Sequence, residues 1–288
     1  MSENKKEIVI LYHGGCPDGF GGAYAAWKKF GDAAEYIPLQ HDRIVPEGLA
    51  GRKLFFIDFC YPQNLMDEIV KTAESVTVLD HHLGMKKVVE SMREHIFDDK
   101  RSGATIAWSY FFPNVPVPLL LKYVEDGDRY VFLLPYSHAV LAYIYTRRFA
   151  FEEWDNLVQE LKDEKMRAVL IEKGKCYAEY HSILVEQIAN KAILVSFEGF
   201  GCYLAAATDI FKSDVANRLA RLKPPLGIAV NFHGDILNVS LRSDGSIDVS
   251  AIAQKYDGNG HPQAAGFSVA WGDPLPWTVQ KENENTRD

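Results

Sequence analysis

Several short polar groups in the sequence have the composition of a site for divalent cations. Asp80-His81-His82 follows directly on the strand-like run at residues 76–79, and Asp58 closes another at residues 53–57. His13 and Asp18 share the stretch His13-Gly-Gly-Cys-Pro-Asp18-Gly, which follows residues 8–12, and Glu125-Asp126-Gly-Asp128-Arg129 follows residues 119–124. Each has an ordinary structural use: a strand-end aspartate caps a helix, and glycines serve a tight turn. Two imidazoles behind an aspartate at the end of a buried strand are far less ordinary. Carboxylates with a minority of imidazoles suit manganese or magnesium better than a thiolate-loving metal. Two such ions about 4 Å apart can lower the pKa of one water and stabilise both oxygens of an in-line displacement. Asp58, on the middle of three loops, is the expected shared ligand. The first loop lacks a Gly-Lys-Ser/Thr ending and does not match GxGxxG, which excludes an NTPase or dinucleotide reading at that position.

These groups need elements to bring them together, and the pattern supplies them. Residues 8–12 are apolar throughout, and 53–57 and 76–79 are apolar but for Lys53 and Thr77, as in strands buried on both faces. Helical patterns cover residues 22–30 and, from Pro62, about 62–71. Repeated strand, turn and helix units imply α/β architecture, with a parallel sheet and helices on both faces. Ligands of such sheets bind outside the carboxyl ends of the strands, where the acids and histidines fall. Residues 151–190 read as mostly helix with one turn near Gly174, and are expected to connect two domains. A second alternating region has strands near 192–196, 201–204, 226–230 and 237–241, with helices near 213–221 and 249–256. The expected division is therefore 1–150, a helical connector at 151–190, and a smaller mixed-sheet domain at 191–288, whose polar tail after Pro276 is expected to fray.

The second region carries its own candidate. Gly258-Asn-Gly260-His261-Pro-Gln-Ala-Ala-Gly266 lets backbone approach a ligand closely, successive N–H groups form an anion-binding concavity, and His261 can donate to phosphate. Arg242 and Ser243, at a strand end, are the expected partners, because arginine clamps phosphate through paired hydrogen bonds. A glycine-rich turn with a core histidine is the plainer account. Ser102-Gly-Ala-Thr105 lies near the first group in prospect, or caps the helix that follows it.

With these motifs in this order the sequence resembles the DHH phosphoesterases, named for the triplet that stands here as Asp80-His81-His82. The glycine-histidine segment at 258–266 looks like the motif of the associated DHHA1 domain, so the resemblance spans about residues 8–271. It implies manganese-dependent hydrolysis of phosphoester bonds in substrates from short oligonucleotides and dinucleotides to nucleoside bisphosphates and polyphosphate. It also implies metal ligation by His13, Asp18, Asp58, His81 and Asp126, with Asp128 as the alternative to Asp126. His82 is then expected to face the reacting phosphate and Asp80 to orient a histidine, while Arg242, Ser243, Gly258, Gly260 and His261 bind substrate. The first loop departs from the family pattern: many relatives carry two aspartates one residue apart, whereas Cys16 and Phe20 flank Asp18 here. That leaves one or two ions open, manganese or magnesium, and makes Cys16 a candidate ligand.

Bulk properties narrow the partners. A net charge of −8 argues against a protein that coats long DNA or RNA, since phosphate neutralisation supplies most of that affinity. A small phosphorylated ligand, a short nucleotide or oligonucleotide, is compatible with it, and a homodimer is left open. The four cysteines form no CxxC pair, so neither a disulfide framework nor a structural zinc site is expected. No apolar run reaches membrane-spanning length and the start has no cleavable apolar leader, which gives a cytoplasmic expectation without membrane contact. The expected activity is hydrolysis of phosphodiester bonds in short nucleotides. The alternatives are a phosphomonoesterase acting on nucleoside bisphosphates and a non-catalytic nucleotide sensor.

Overall fold

A computed structural model describes residues 6–39 and 44–280. The chain divides into two units, Met1–Ala178 and Glu179–Asp288. The first contains β1 (Ile8–His13), α1 (Pro17–Phe30), β2 (Ala34–Leu39), β3 (Lys53–Ile57), α2 (Gln63–Thr72), β4 (Ser75–Asp80), α3 (Lys86–Ser91), β5 (Glu94–Phe97), α4 (Gly103–Phe111), α5 (Leu119–Asp128), α6 (Ser137–Tyr145) and α7 (Phe151–Lys162). Helix α8 (Glu164–Ala189) begins in the first unit and ends in the second.

The five strands pair in parallel in the order β2-β1-β3-β4-β5. The mostly apolar runs of the three central strands, β1, β3 and β4, are explained by burial on both faces. Alternate residues enter separate cores: Ile10, Tyr12, Ile57 and Leu79 pack with α1, α4 and α5, while Val9, Leu11, Phe56 and Val78 pack with Met66 and Ile69 of α2. The α/β sheet covered on both faces is the architecture expected from the pattern.

Particular elements differ from expectation. Helix α1 begins at Pro17, not residue 22, so the second half of the glycine-rich loop is its first turn; Pro17 tolerates that position and the Cys16 sulfur accepts from Gly19 N. The edge strand β2 went unread, because its half-buried, proline-containing sequence AEYIPL lacks a strand's usual contrast. Gly174 marks no turn. It lies inside α8, where a Cβ would collide with the backbone carbonyl of Ala139 in α6, and the break falls instead at Asp163. The segment expected as a connector is thus divided: Trp154, Leu157, Leu161 and Leu170 belong to the first unit's core, while Val185 and Ala189 pack in the second.

The second unit contains β6 (Ile193–Phe197), β7 (Phe200–Ala206), α9 (Asp209–Leu222), β8 (Leu226–His233), β9 (Ile236–Ser243), α10 (Val249–Gln254), β10 (Asn259–His261), β11 (Ala264–Ala270) and β12 (Trp277–Val279). Its mixed sheet runs β10-β11-β9-β8-β7-β6-β12, with β7 and β8 parallel and the other pairs antiparallel. Part of the tail expected to fray is the strand β12, whose Trp277 packs edge-on against Phe197; residues 281–288 lie outside the described residues. Among the described residues no helix is long and apolar enough to cross a membrane.

Candidate metal centre

The carboxyl ends of β1, β3 and β4 lie side by side, because these strands are neighbours in one parallel sheet. His13 ends β1, Asp58 follows β3, and Asp80 ends β4. Asp58 holds φ at +57° while its N–H donates to Leu79 O at 2.9 Å. This left-handed backbone is tolerated by aspartate better than by most residues and is common at functional positions. Gly103, at the start of α4, makes room: a Cβ there would come within 2.5 Å of the Asp58 Cβ.

Asp58 presents its two oxygens to two different groups. Oδ1 lies 3.1 Å from His81 Nε2, and that nitrogen is also 3.6 Å from Asp18 Oδ2 and 3.6 Å from Asp128 Oδ2. Oδ2 lies 3.4 Å from His13 Nδ1 and 3.7 Å from the Cys16 sulfur. Asp80 Oδ1 accepts from the N–H groups of His81 and His82, at 2.7 and 3.1 Å, and sits 2.7 Å from His82 Nδ1. It therefore fixes the position of both histidines from behind. Asp18 is held by the first turn of α4, with Gly103 N donating to Oδ2 at 2.7 Å and Ala104 N to Oδ1 at 2.9 Å. The same turn is tied to α5, since Ser102 N and the Thr105 hydroxyl both donate to Glu125.

The electrostatics of the cluster favour a cation. Burial, then repulsion from Asp128 and Asp58, pushes the Asp18 carboxyl well above the usual range. Burial opposes the charge on Asp58 too, but hydrogen bonding from His13 and His81 outweighs it and holds Asp58 well down. Burial would lower His81, yet Asp58, Asp128 and Asp18 push it up to about 10; His82, facing Asp80 and Asp58 against its own burial, is pushed up to about 9. Three carboxylates thus crowd one imidazole in a site where Asp18 and Asp58 are buried, and a divalent ion neutralises such a group better than one proton does. Asp18, His81 and Asp128 offer donor atoms within 4.8 Å of one another, as do His13, Cys16 and Asp58, and Asp58, Asp80, His81 and His82. The carboxylate-rich group of Asp18, Asp58, His81 and Asp128 fits a hard divalent cation.

Of the expected ligands, His13, Asp18, Asp58 and His81 converge, and Asp126 does not. Its carboxylate accepts from Leu133 N at 2.7 Å and Leu134 N at 3.0 Å, and so shapes the loop after α5. Asp128 reaches the cluster in its place. Residues two apart at a helix end project in nearly opposite directions, so only one can face the sheet edge. The main-chain donors of Gly103 and Ala104 went unidentified in the sequence, although Ser102-Gly-Ala-Thr105 carries the signal of a helix start.

In the second unit, antiparallel register sets Arg242 opposite Ala264 and Ala264 opposite His261. Directly opposed residues share a face, so Arg242 and His261 stand in one row across three strands with a small residue between them. The guanidinium donates to Ser213 Oγ at 2.7 Å and Leu241 O at 2.8 Å. Ser243 departs from its expected role: its hydroxyl donates to Ile247 O at 2.8 Å and accepts from Gly245 N at 3.0 Å, closing its own turn, and alternation along β9 turns it from the Arg242 face. Gly258 has no space for a side chain beside the Gly266 carbonyl, and Gly260 holds φ at +147°. Both are needed by the tight β10–β11 hairpin itself.

No family model matches the chain. It is 29% identical over 295 residues to the uncharacterized protein R106 of Acanthamoeba polyphaga mimivirus, covering 93% of this chain and 69% of the relative. It is 24% identical over 240 residues to Oligoribonuclease NrnB of Bacillus subtilis (strain 168), covering 71% of this chain but 55% of the relative. Among solved structures it resembles the DHH domain of a member of the s1p family of ribosomal proteins, with a TM-score of 0.59 at 14% identity, over 92% of this chain and 83% of that one.

Proposed function

We propose that this chain, which belongs to the DHH-domain proteins by fold and by the order of its motifs, is a metal-dependent hydrolase of phosphodiester bonds in short nucleotides. Its substrate is a linear dinucleotide or an oligonucleotide of a few residues, and a nucleoside monophosphate is released. The observation that carries this reading is the meeting of Asp18, Asp58, His81 and Asp128, from four separate segments, at the carboxyl edge of one parallel sheet. Divalent cations, manganese first and magnesium as the alternative, supply Lewis-acid charge and a more acidic water to such chemistry.

The chain's own residues bind, orient and move protons. Asp58 directs one oxygen to each half of the site, and Asp18 is kept in place by α4. Asp80 takes up His82 Nδ1, which leaves Nε2 as the nitrogen that donates to a phosphoryl oxygen. In the second unit Arg242 and His261 hold a terminal phosphate. The acidic chain favours small substrates over long nucleic acid, and the oligoribonuclease among its relatives supports a short nucleotide.

The test is an assay of the purified protein with manganese and, separately, pGpG, a 24-nucleotide strand and 3′-phosphoadenosine-5′-phosphate. The dinucleotide is expected to be consumed fastest. Preferential loss of the 24-mer contradicts the size argument. Cleavage confined to the bisphosphate makes the protein a phosphomonoesterase, and tight binding with no turnover of any probe makes it a sensor.

A further inference from the structure

The two oxygens of Asp58 face different chemistry. Around Oδ1 stand two more carboxylates and an imidazole, Asp18, Asp128 and His81. Around Oδ2 stand an imidazole nitrogen and a sulfur. His13 Nδ1 is 3.4 Å from Oδ2, the Cys16 sulfur is 3.7 Å from it, and the sulfur and nitrogen are 3.2 Å apart.

Those separations resemble the edges of a tetrahedral cation site. With metal–sulfur distances near 2.3 Å and metal–nitrogen or metal–oxygen distances near 2.0 Å, sulfur-to-nitrogen and sulfur-to-oxygen edges are about 3.5 Å and nitrogen-to-oxygen edges about 3.3 Å. The measured triangle departs from them by a few tenths of an ångström. Its corners come from two segments, the turn after β1 and the end of β3. The sulfur is located by Gly19 N, 3.3 Å away at the N-terminus of the fourteen-residue α1. A serine would serve that capping role equally well, so the cap alone gives no reason for sulfur at residue 16.

We propose that His13, Cys16 and Asp58 form a metal position of mixed sulfur, nitrogen and oxygen donors that takes a thiophilic cation, zinc above all, while Asp18, Asp58, His81 and Asp128 take a hard cation such as manganese. The proposal deepens the metal-dependent reading above and rests on it. Thiolate and imidazole together favour zinc or cobalt, whereas a carboxylate-dominated group favours manganese or magnesium. Asp58 then bridges two unlike metals. The ligand is the thiolate, so the cation displaces the Cys16 proton to solvent as the metal–sulfur bond forms.

Cobalt(II) reports both positions. The full-length apoprotein, Cys16→Ser and Cys16→Asp are titrated with cobalt, and spectra and bound metal are measured together. The wild type is expected to develop a sulfur-to-cobalt charge-transfer band in the near ultraviolet that saturates with one cobalt. Both variants lose that band but keep the weaker visible bands of cobalt at the other position. In Cys16→Ser the cap is retained, so its far-ultraviolet circular dichroism stays that of the wild type. After equilibration with equal zinc and manganese, the zinc-to-manganese ratio bound by Cys16→Asp is expected to fall about tenfold or more below that of the wild type. Cobalt bound to the wild type without a charge-transfer band, or a band that survives in Cys16→Ser, overturns the proposal and leaves the metal-dependent reading standing. No cobalt bound by any of the three proteins overturns both.

Discussion

In the first unit the functional candidates are bonded to one another around a buried centre, whereas in the second they lie along a partly exposed row on one sheet face. Asp18, Asp58 and His81 are 1%, 2% and 4% exposed and arrive from three separate segments. Their positions depend on main-chain donors at α4, on a left-handed residue and on a glycine that leaves room for it. Arg242 and His261 need only the register of three adjacent strands and a small residue at 264. A buried convergent site concentrates charge and fixes angles, as bond breaking requires. A row on a sheet face gives grip and tolerates adjustment. Substitutions are therefore expected to act on turnover in the first unit and on affinity in the second.

The largest break in that contrast comes at Asp58. Asp58→Ala removes the oxygens shared by both halves of the site and is expected to lower kcat at least about a thousandfold in a pGpG turnover assay. Circular dichroism checks that the variant keeps the fold, since the substitution also leaves His13 and His81 without their shared carboxylate. A sharper comparison sets Asp128→Asn against Asp126→Asn. The first is expected to cost about a hundredfold in turnover and to leave the metal-free protein as stable or slightly more so, since desolvation, with repulsion from Asp58, outweighs the attraction of His81 and disfavours the Asp128 charge. The second is expected to change turnover by less than about threefold and to cost about 1–2 kcal/mol of stability in urea unfolding, because it disturbs the acceptor for Leu133 N and Leu134 N.

That pair also shows how far the sequence could be read. The strand ends at His13, Asp58 and Asp80 were legible because continuous apolar runs announce strands buried on both faces, and parallel connections gather their carboxyl ends at one edge. The choice between Asp126 and Asp128 was not legible. It turns on the phase of α5 where it ends, and the run EDGD carries no mark of which acid faces inward. Main-chain donors have no residue type, so the part of Gly103 and Ala104 appears only once α4 is placed against α1. The same limit applied to Gly174, where a close approach to α6 and a turn call for the same residue. In the second unit residue type and motif single out Arg242 and His261, which the register sets in one row, while the hydroxyl of Ser243, expected to meet substrate, is used by its own turn.

Smaller effects sharpen the second half of the comparison. Arg242→Ala is expected to raise KM for pGpG about tenfold or more and to leave kcat within about twofold, the pattern of a group that binds ground state and transition state alike. Asp248 caps α10 ahead of the glycine-rich hairpin by accepting from Ser250 N and Ala251 N, and Asp248→Ala is expected to cost about 1 kcal/mol in thermal unfolding. Its carboxyl is held below the usual range, first by the Ser250 hydroxyl and then by those N–H groups. The lowered folded pKa means that its contribution is fully present above the unfolded value near 4 and is lost as pH falls through the lowered one. The difference between wild type and variant is therefore expected at pH 6 and to shrink under strong acid.

The central claim is that acids and imidazoles from distant segments meet to hold divalent cations. Anomalous diffraction from crystals grown with manganese tests it most directly. The account predicts a manganese peak coordinated by Asp18, Asp58, His81 and Asp128, absent from Asp58→Ala crystals. Manganese bound away from these residues, or the same peak in the variant, contradicts it.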